Sequence, residues 1–243
     1  MKVRVYENKQ ELAEAAAKDF IDRANAAIEE KGYFAVALAG GSTPEAAYEL
    51  LASEPADEID WSNVHVFFGD ERSVPPDDED SNYRMAREAL LDHVSVGSVH
   101  RMKGELLPDE AATQYEEELR EFFGTPGGPP KFDLIQLGIG DDGHTASLFP
   151  NTPALEVTDR WVAHNPVAKL ETVRITLTIP VINAAKAVSF LVAGEGKAEA
   201  LKEVLEGDAD PYFYPSKFVQ PTGELNWMVD REAAENLENS PRP

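Results

Sequence analysis

The sequence predicts a doubly wound, mainly parallel α/β sheet with helices on both faces, Rossmann-like and built as one domain over residues 1–243. Three observations carry this. Strand-like and helix-like patterns alternate along almost the whole chain, as in folds built from βα units. Several strand-like runs, such as "YFAVALAG", are apolar throughout rather than every second residue, as strands covered on both faces must be. Finally, the strands run into loops rich in glycine or charge, and a parallel sheet gathers such loops along one edge.

The elements follow in order. "KVRVY" reads as a strand, and residues 8–30 place Leu12, Ala16, Phe20, Ala24, Ala27 and Ile28 at helical spacing before Gly32 closes the helix. After "YFAVALAG", the segment "GSTPEAAYELLAS" starts a helix, with Thr43 as cap, Pro44 in the first turn and Glu45 at the positive end. "VHVFFGDE" is a third strand, and Ser81 caps a helix over "NYRMAREALLDHV". A helix over 109–123 leads to the linker "GTPGGPP" at 124–130, which joins two halves of one sheet because neither half has a polar face of its own. Strand "FDLIQLGIG", a short helix after His144, strands "VRITLTI" and "AVSFLVAG", helix "KAEALKEVLEG", strand "LNWMVD" and helix "REAAENL" complete the chain.

Composition removes several functions. The absence of cysteine excludes disulfides, thiolate nucleophiles and thiolate metal sites. A formal charge of −23, from 45 acidic against 22 basic side chains, opposes binding to nucleic acid or anionic membranes. The acids are scattered and give a strongly hydrated exterior, consistent with a salt-rich habitat and equally with simple solubility. With no apolar leader and no run of membrane length, a cytoplasmic protein is expected.

Four strand ends are decorated: "AGGSTP", "FGDERSVP", "GIGDDGHTAS" and "AGEGKAEA". Gly40, Gly41, Ser42 and Thr43 lead into a helix amino terminus, where free N–H groups and the helix dipole favour an anion. Lys197, between a glycine turn and a helix, offers a countercharge. It does not complete a P-loop, since Leu191 stands at the first glycine position and Ala198 at the Ser/Thr position. Gly138, Gly140 and Gly143 formally satisfy G-x-G-x-x-G, but Asp141 and Asp142 inside the turn would repel a pyrophosphate, and the motif lies mid-chain.

Of the five histidines, His65, His93, His100 and His164 read as structural or surface residues. His144 differs: it follows a buried strand and a glycine turn, and Asp142 is placed to orient its imidazole for proton transfer. Ser147 lacks a nucleophile elbow and is expected within a helical turn, a poor setting for attack. "DDEDSNYR" is not a calcium loop, because Tyr83 and Ala89 occupy the positions of the required glycine and glutamate. No second histidine is spaced to complete a zinc site.

Taken together, "ALAGGSTP" (37–44), "FFGDERSVPPDDEDSNYRMAREALL", "LGIGDDGHTASLFPNTPAL", "RITLTIPVINAAKAVSFLVAGEGKAEAL" and "GELNWMVDREAAENL" closely resemble the 6-phosphogluconolactonase family over nearly the whole chain. Glucosamine-6-phosphate deaminases are similar more distantly. They typically carry Phe-Asn-Glu-Pro where this chain has Ser147-Leu148-Phe149-Pro150, so the lactonase branch fits better.

The resemblance implies one lactonase domain that hydrolyses a phosphosugar lactone with no metal and no organic cofactor; no nucleic-acid or membrane partner is expected, and the chain is expected to be a monomer or small homo-oligomer. It implies His144 as general base, Asp142 as its holder, and Arg72 facing either the reacting carbonyl or the phosphate. Gly41, Ser42 and Lys197 would bind the phosphate with help from Arg174. Two rivals remain: a deaminase or isomerase of the same fold, with Asp70 as carbon base, and a sugar-phosphate sensor. The sensor is opposed by the lack of a helix-turn-helix or basic patch.

Overall fold

The computed structural model describes residues 1–53, 58–124 and 127–238. Its strands are β1 (Lys2–Tyr6), β2 (Phe34–Leu38), β3 (Val64–Phe68), β4 (Asp70–Arg72), β5 (Ser98–Val99), β6 (Leu134–Leu137), β7 (Val162–Val167), β8 (Thr172–Leu177), β9 (Ala187–Val192) and β10 (Glu224–Asp230). Its α-helices are α1 (Lys9–Lys31), α2 (Ser42–Leu51), α3 (Asn82–Ala86), α4 (Pro108–Phe123), α5 (Ile179–Ala184) and α6 (Ala198–Glu206).

Seven strands form one parallel sheet in the order β1-β10-β9-β6-β2-β3-β5. Strands from both sides of the linker interleave, since β2 is bonded to both β3 and β6. Of the linker itself, Thr125 and Pro126 lie outside the described residues.

Successive side chains of β2 point to opposite faces, and the two faces are buried against different helices. Phe34, Val36 and Leu38 pack with Phe20 and Ala24 of α1 and Tyr48 and Leu51 of α2. Ala35 and Ala37 pack with Tyr115 and Leu119 of α4, in a cluster that includes Val181 of α5 and Leu201 of α6. Two covered faces explain why β2 is apolar at every position.

The chain builds outward from β2 through β3 to β5, then returns to the other side of β2 with β6. The gap between β2 and β6 is therefore the topological switch point, where open α/β sheets leave a crevice at the carboxyl ends of their strands. The loops after β2 and β6 flank that crevice.

Four expectations need correction. "VRITLTI" does not join the parallel sheet: as β8 it is the centre of a separate antiparallel sheet, β4-β8-β7. Its neighbour β7 is a strand not among those expected from the sequence, and it contains Pro166. An edge position accommodates the proline, which has no N–H to offer a ladder.

Thr43 does not cap α2. The helix begins two residues earlier, with Gly41 at φ 101° in the cap position and no side-chain cap hydrogen bond. No helix follows His144: Ala146 and Asn151 have left-handed backbones (φ 47° and 54°), and the first regular turn is the 3₁₀ segment Pro153–Glu156. "REAAENL" also forms turns rather than a helix, although Asp230 accepts the Ala233 N–H as a cap would. Elsewhere the expected helix ends are found: Gly32 closes α1 with a left-handed backbone and Ser81 accepts from Arg84 N at 3.2 Å, while Asn8 caps the start of α1 by accepting from Glu11 N at 3.0 Å.

Among the described residues, no helix is long and apolar enough to cross a membrane.

Candidate active site

The strand ends around the switch point are fixed by two buried tyrosines that straddle backbone groups. Tyr48 Oη accepts from Ala39 N at 3.0 Å and donates to Ala39 O at 3.1 Å, which sets the turn between β2 and α2. Tyr115 Oη does the same at Phe68, at 2.9 and 3.1 Å, where β3 ends. Burial pushes both phenols above the ordinary tyrosine value, so they stay neutral donors.

Beyond β3 the chain turns into β4 and the second sheet, which carries Asp70, Glu71 and Arg72 over the crevice. Glu71 is buried and accepts from the N–H groups of Arg72 (2.8 Å), Asn82 (2.8 Å) and Tyr83 (2.8 Å) and from Ser81 Oγ (3.1 Å). One carboxylate thus ties β4 to the start of α3. Burial pushes its carboxyl up, and these donors act against that rise.

The crevice encloses a cavity of about 270 Å³, lined among others by Gly41, Asp70, Arg72, Asn82, His144 and Lys197. Four of the expected residues therefore meet: Gly41 after β2, Arg72 after β3, His144 after β6 and Lys197 after β9. Ser42 lines an adjoining cavity of about 280 Å³, which shares Gly41, Arg72 and Asn82 with the first. Arg174 lines neither; it stands on β8 directly opposite Arg72 in the antiparallel register. Burial, then the Arg72 charge, lowers the Arg174 pKa from its ordinary value. Among the described residues, the Nε atoms of both arginines are buried without a hydrogen-bond partner.

His144 Nδ1 lies 2.6 Å from Asp142 Oδ1, which also accepts the His144 backbone N–H at 3.1 Å. An ionised carboxylate only accepts, so Nδ1 carries the proton and Nε2 is the nitrogen left for the cavity. The ring stacks on Phe149 with centroids 4.1 Å apart. Burial opposes ionisation of Asp142, but hydrogen bonds from His144 and Lys169 outweigh it and hold its carboxyl well below the usual carboxylate range.

The turn around the histidine allows little variation. A Cβ at Gly140 would overlap the His144 ring and the Asp142 carboxylate. Gly143, at φ 76°, packs against Tyr214.

Sequence reasoning missed several contributors. Lys169, on the turn after β7, pairs with Asp142 Oδ2. Asp230, at the end of β10, accepts the Gly194 N–H at 3.0 and 3.1 Å and so fixes the loop bearing Lys197. Asn82 Nδ2 donates to Asp70 O at 2.9 Å and Oδ1 at 3.2 Å. Only Asn82 had a local signal, its place after the Ser81 cap.

Other residues fall outside the cavity. Lys217 is held by Glu203 and by the carbonyls of Gly207 and Ala209, in the wall of a separate groove of about 530 Å³ that gathers no comparable set of cations and imidazole. His65 and His100 both bond Ser98 Oγ, His93 bonds Glu88 O, and His164 pairs with Asp109. Among the described residues, no three His, Asp or Glu side chains cluster as metal ligands would.

The family model for glucosamine-6-phosphate isomerases/6-phosphogluconolactonase matches residues 7–227, most of the chain and all four loops of the site. The chain belongs to this family. A Synechocystis 6-phosphogluconolactonase is 48% identical, with 97% of this chain and 98% of the relative aligned. Among solved structures, 6-phosphogluconolactonase from Trypanosoma cruzi superposes with a TM-score of 0.85 at 30% identity, covering 98% of this chain and 97% of that one. The Thermotoga maritima 6-phosphogluconolactonase superposes with a TM-score of 0.81 at 32% identity, covering 94% and 99%. The doubly wound fold and the antiparallel annex that carries β4 are thus set in a family of sugar-phosphate enzymes.

Proposed function

We propose that this chain hydrolyses 6-phospho-D-glucono-1,5-lactone to 6-phosphogluconate, the lactonase step of the oxidative pentose phosphate pathway. One observation carries the reading: an imidazole backed by a carboxylate shares a cavity with two cations and a glycine-opened helix start. The names of the relatives support the same substrate.

In this reading the substrate phosphate lies at the α2 start, against Gly41, Ser42, Lys197 and Arg72. The place of Arg72 in the lining of the Ser42 cavity, which His144 does not line, supports assigning it to this end. The unpartnered Nε atoms of Arg72 and Arg174 favour an anion nearby, with Arg174 acting from the opposite strand.

With the phosphate anchored, C1 of the lactone faces His144. Nε2 takes a proton from water as the water oxygen bonds to C1, and Asp142 stabilises the imidazolium. Collapse of the tetrahedral intermediate breaks the bond from C1 to the ring oxygen, which leaves with the proton from Nε2. The carboxylic acid formed then ionises to solvent. Only water is consumed, so no cofactor is required. The phosphate anchor, remote from C1, converts binding energy into orientation. We read the chain as one lactonase domain acting in the cytoplasm, as a monomer or small homo-oligomer.

A stopped assay of lactone hydrolysis tests the proposal. Wild type should turn over the lactone, and His144→Ala should lose about 10²–10⁴-fold in kcat. Equal rates would remove the general-base role. Ammonia release from glucosamine 6-phosphate would instead favour Asp70 as a carbon base.

A further inference from the structure

We infer that Lys169 is a positioning residue for the His144 base: it grips Asp142 and Phe149, the two groups that hold the imidazole, and balances the Asp142 charge. The inference deepens the hydrolytic reading and rests on His144 being the base.

The geometry converges from two sides. Lys169 sits on the 3₁₀ turn Ala168–Leu170 between β7 and β8, far in sequence from the histidine loop. Its ammonium pairs with Asp142 Oδ2, the oxygen that His144 does not use. The same ammonium lies 5.2 Å from the centroid of the Phe149 ring, and that ring stacks on His144 at 4.1 Å. One cation therefore contacts both the carboxylate at the ring edge and the aromatic at the ring face. Because Oδ2 is occupied, Asp142 keeps Oδ1 turned to Nδ1 and leaves Nε2 aimed at the cavity.

The charge has a second consequence. An unbalanced Asp142 would stabilise the imidazolium and favour protonation of the resting base, which then could not accept a proton from water. Lys169 offsets that field. The other charged groups around His144 are Asp141 on its own loop, Asp70 and Arg72 on β4, and Lys197 before α6, with the Tyr214 phenol behind Gly143. None of these changes when Lys169 is replaced.

The test compares wild type, Lys169→Met and Lys169→Arg in dilute buffer, because an ammonium this exposed is screened by salt. In Lys169→Met the acid limb of the kcat/KM profile should move to higher pH, by about half a pH unit or more. Its plateau kcat should fall about tenfold while KM is retained, since the phosphate end is untouched. Lys169→Arg should restore both, and thermal midpoints should stay together. An unmoved acid limb, or a loss in Lys169→Met that appears only in KM, would overturn the inference. So would equal impairment of both variants with a lowered midpoint. The His144 imidazole titration followed by NMR, assigned with His144→Gln, reads the same displacement without any substrate. An unmoved titration there refutes the role of Lys169, whereas failure of wild type to open the lactone refutes the hydrolytic reading instead.

Discussion

Ser147 Oγ donates a 2.6 Å hydrogen bond to Asp70 Oδ2, joining the turn after His144 to β4 across 77 residues of sequence. Both side chains are buried, and Asn82 donates to the other Asp70 oxygen at 3.2 Å. The Ser147 backbone is held as well, its N–H by Thr176 Oγ1 at 3.3 Å and its carbonyl by Asn165 Nδ2 at 2.8 Å. The hydroxyl proton is committed to a carboxylate in the wall of the cavity, so Ser147 braces the site and does not attack substrate.

Ser147→Ala should accordingly destabilise the fold by about 1.5–3 kcal/mol in urea unfolding, the usual cost of removing a donor from a buried charge. Lactone hydrolysis should survive within about tenfold, whereas loss of a covalent nucleophile removes activity by many orders of magnitude. Complete inactivity in a folded Ser147→Ala protein would reinstate the serine as nucleophile.

Gly140→Ala tests the placement of the imidazole. The added methyl would occupy the space of the His144 ring and of the Asp142 oxygen that holds it. The obstructing atoms belong to side chains, so the imidazole can turn away, and the fold should persist while the base is misdirected. Because a displacement of about 1 Å can cost about 10²-fold, kcat should drop by about that factor with a near-native circular dichroism spectrum. A fully active Gly140→Ala enzyme would show that His144 tolerates another position.

A pH effect on stability is expected away from the site. Burial, then the charges of His100 and Lys31, lowers the His65 pKa below its ordinary value of 6.5. In the unfolded chain His65 takes up a proton as pH falls through that ordinary value, while the folded protein resists until a lower pH. The unfolded state then binds more protons, and stability declines as pH drops below 6.5. Urea midpoints measured from about pH 7.5 to about pH 5.5 should fall more steeply in wild type than in His65→Gln. Parallel slopes would remove His65 as the source.

The parts of the site that were readable in advance share one property: each sits in a local pattern with a chemical meaning. His144 and Asp142 follow an apolar strand and a glycine turn, and Gly41 opens a helix directly after β2. A parallel sheet does the rest, because its carboxyl ends converge whatever the loops contain. Lys169, Asp230 and the Ser147–Asp70 bond had no such pattern. They depend on which distant segments pack together, and Lys169 stands on the turn after β7, a strand absent from the sequence reading. The helix expected after His144 fails at Ala146 for a different reason. Its side chain favours helix, yet the turn that presents His144 to the cavity requires a left-handed backbone at that residue, a local strain typical of functional loops.

The last prediction concerns the field of the whole molecule. The chain carries a formal charge of −23, and a phosphorylated lactone is itself an anion. At long range the protein should repel its substrate, although in the proposed reading Lys197 and Arg72, which line the cavity, would attract the phosphate once it arrives. Salt separates these two effects, since the screening length shrinks from about 10 Å at 0.1 M to about 3 Å at 1 M and exposed charges are screened more than recessed ones. Added potassium chloride should therefore raise kcat/KM by weakening the repulsion before it weakens the anchor. The same screening relieves repulsion among the scattered surface carboxylates, so the urea midpoint should also rise in molar salt, as expected of a protein suited to a salt-rich interior. If kcat/KM falls steadily with salt, the local cations dominate the encounter; if the midpoint is flat, the acidic surface serves solubility alone.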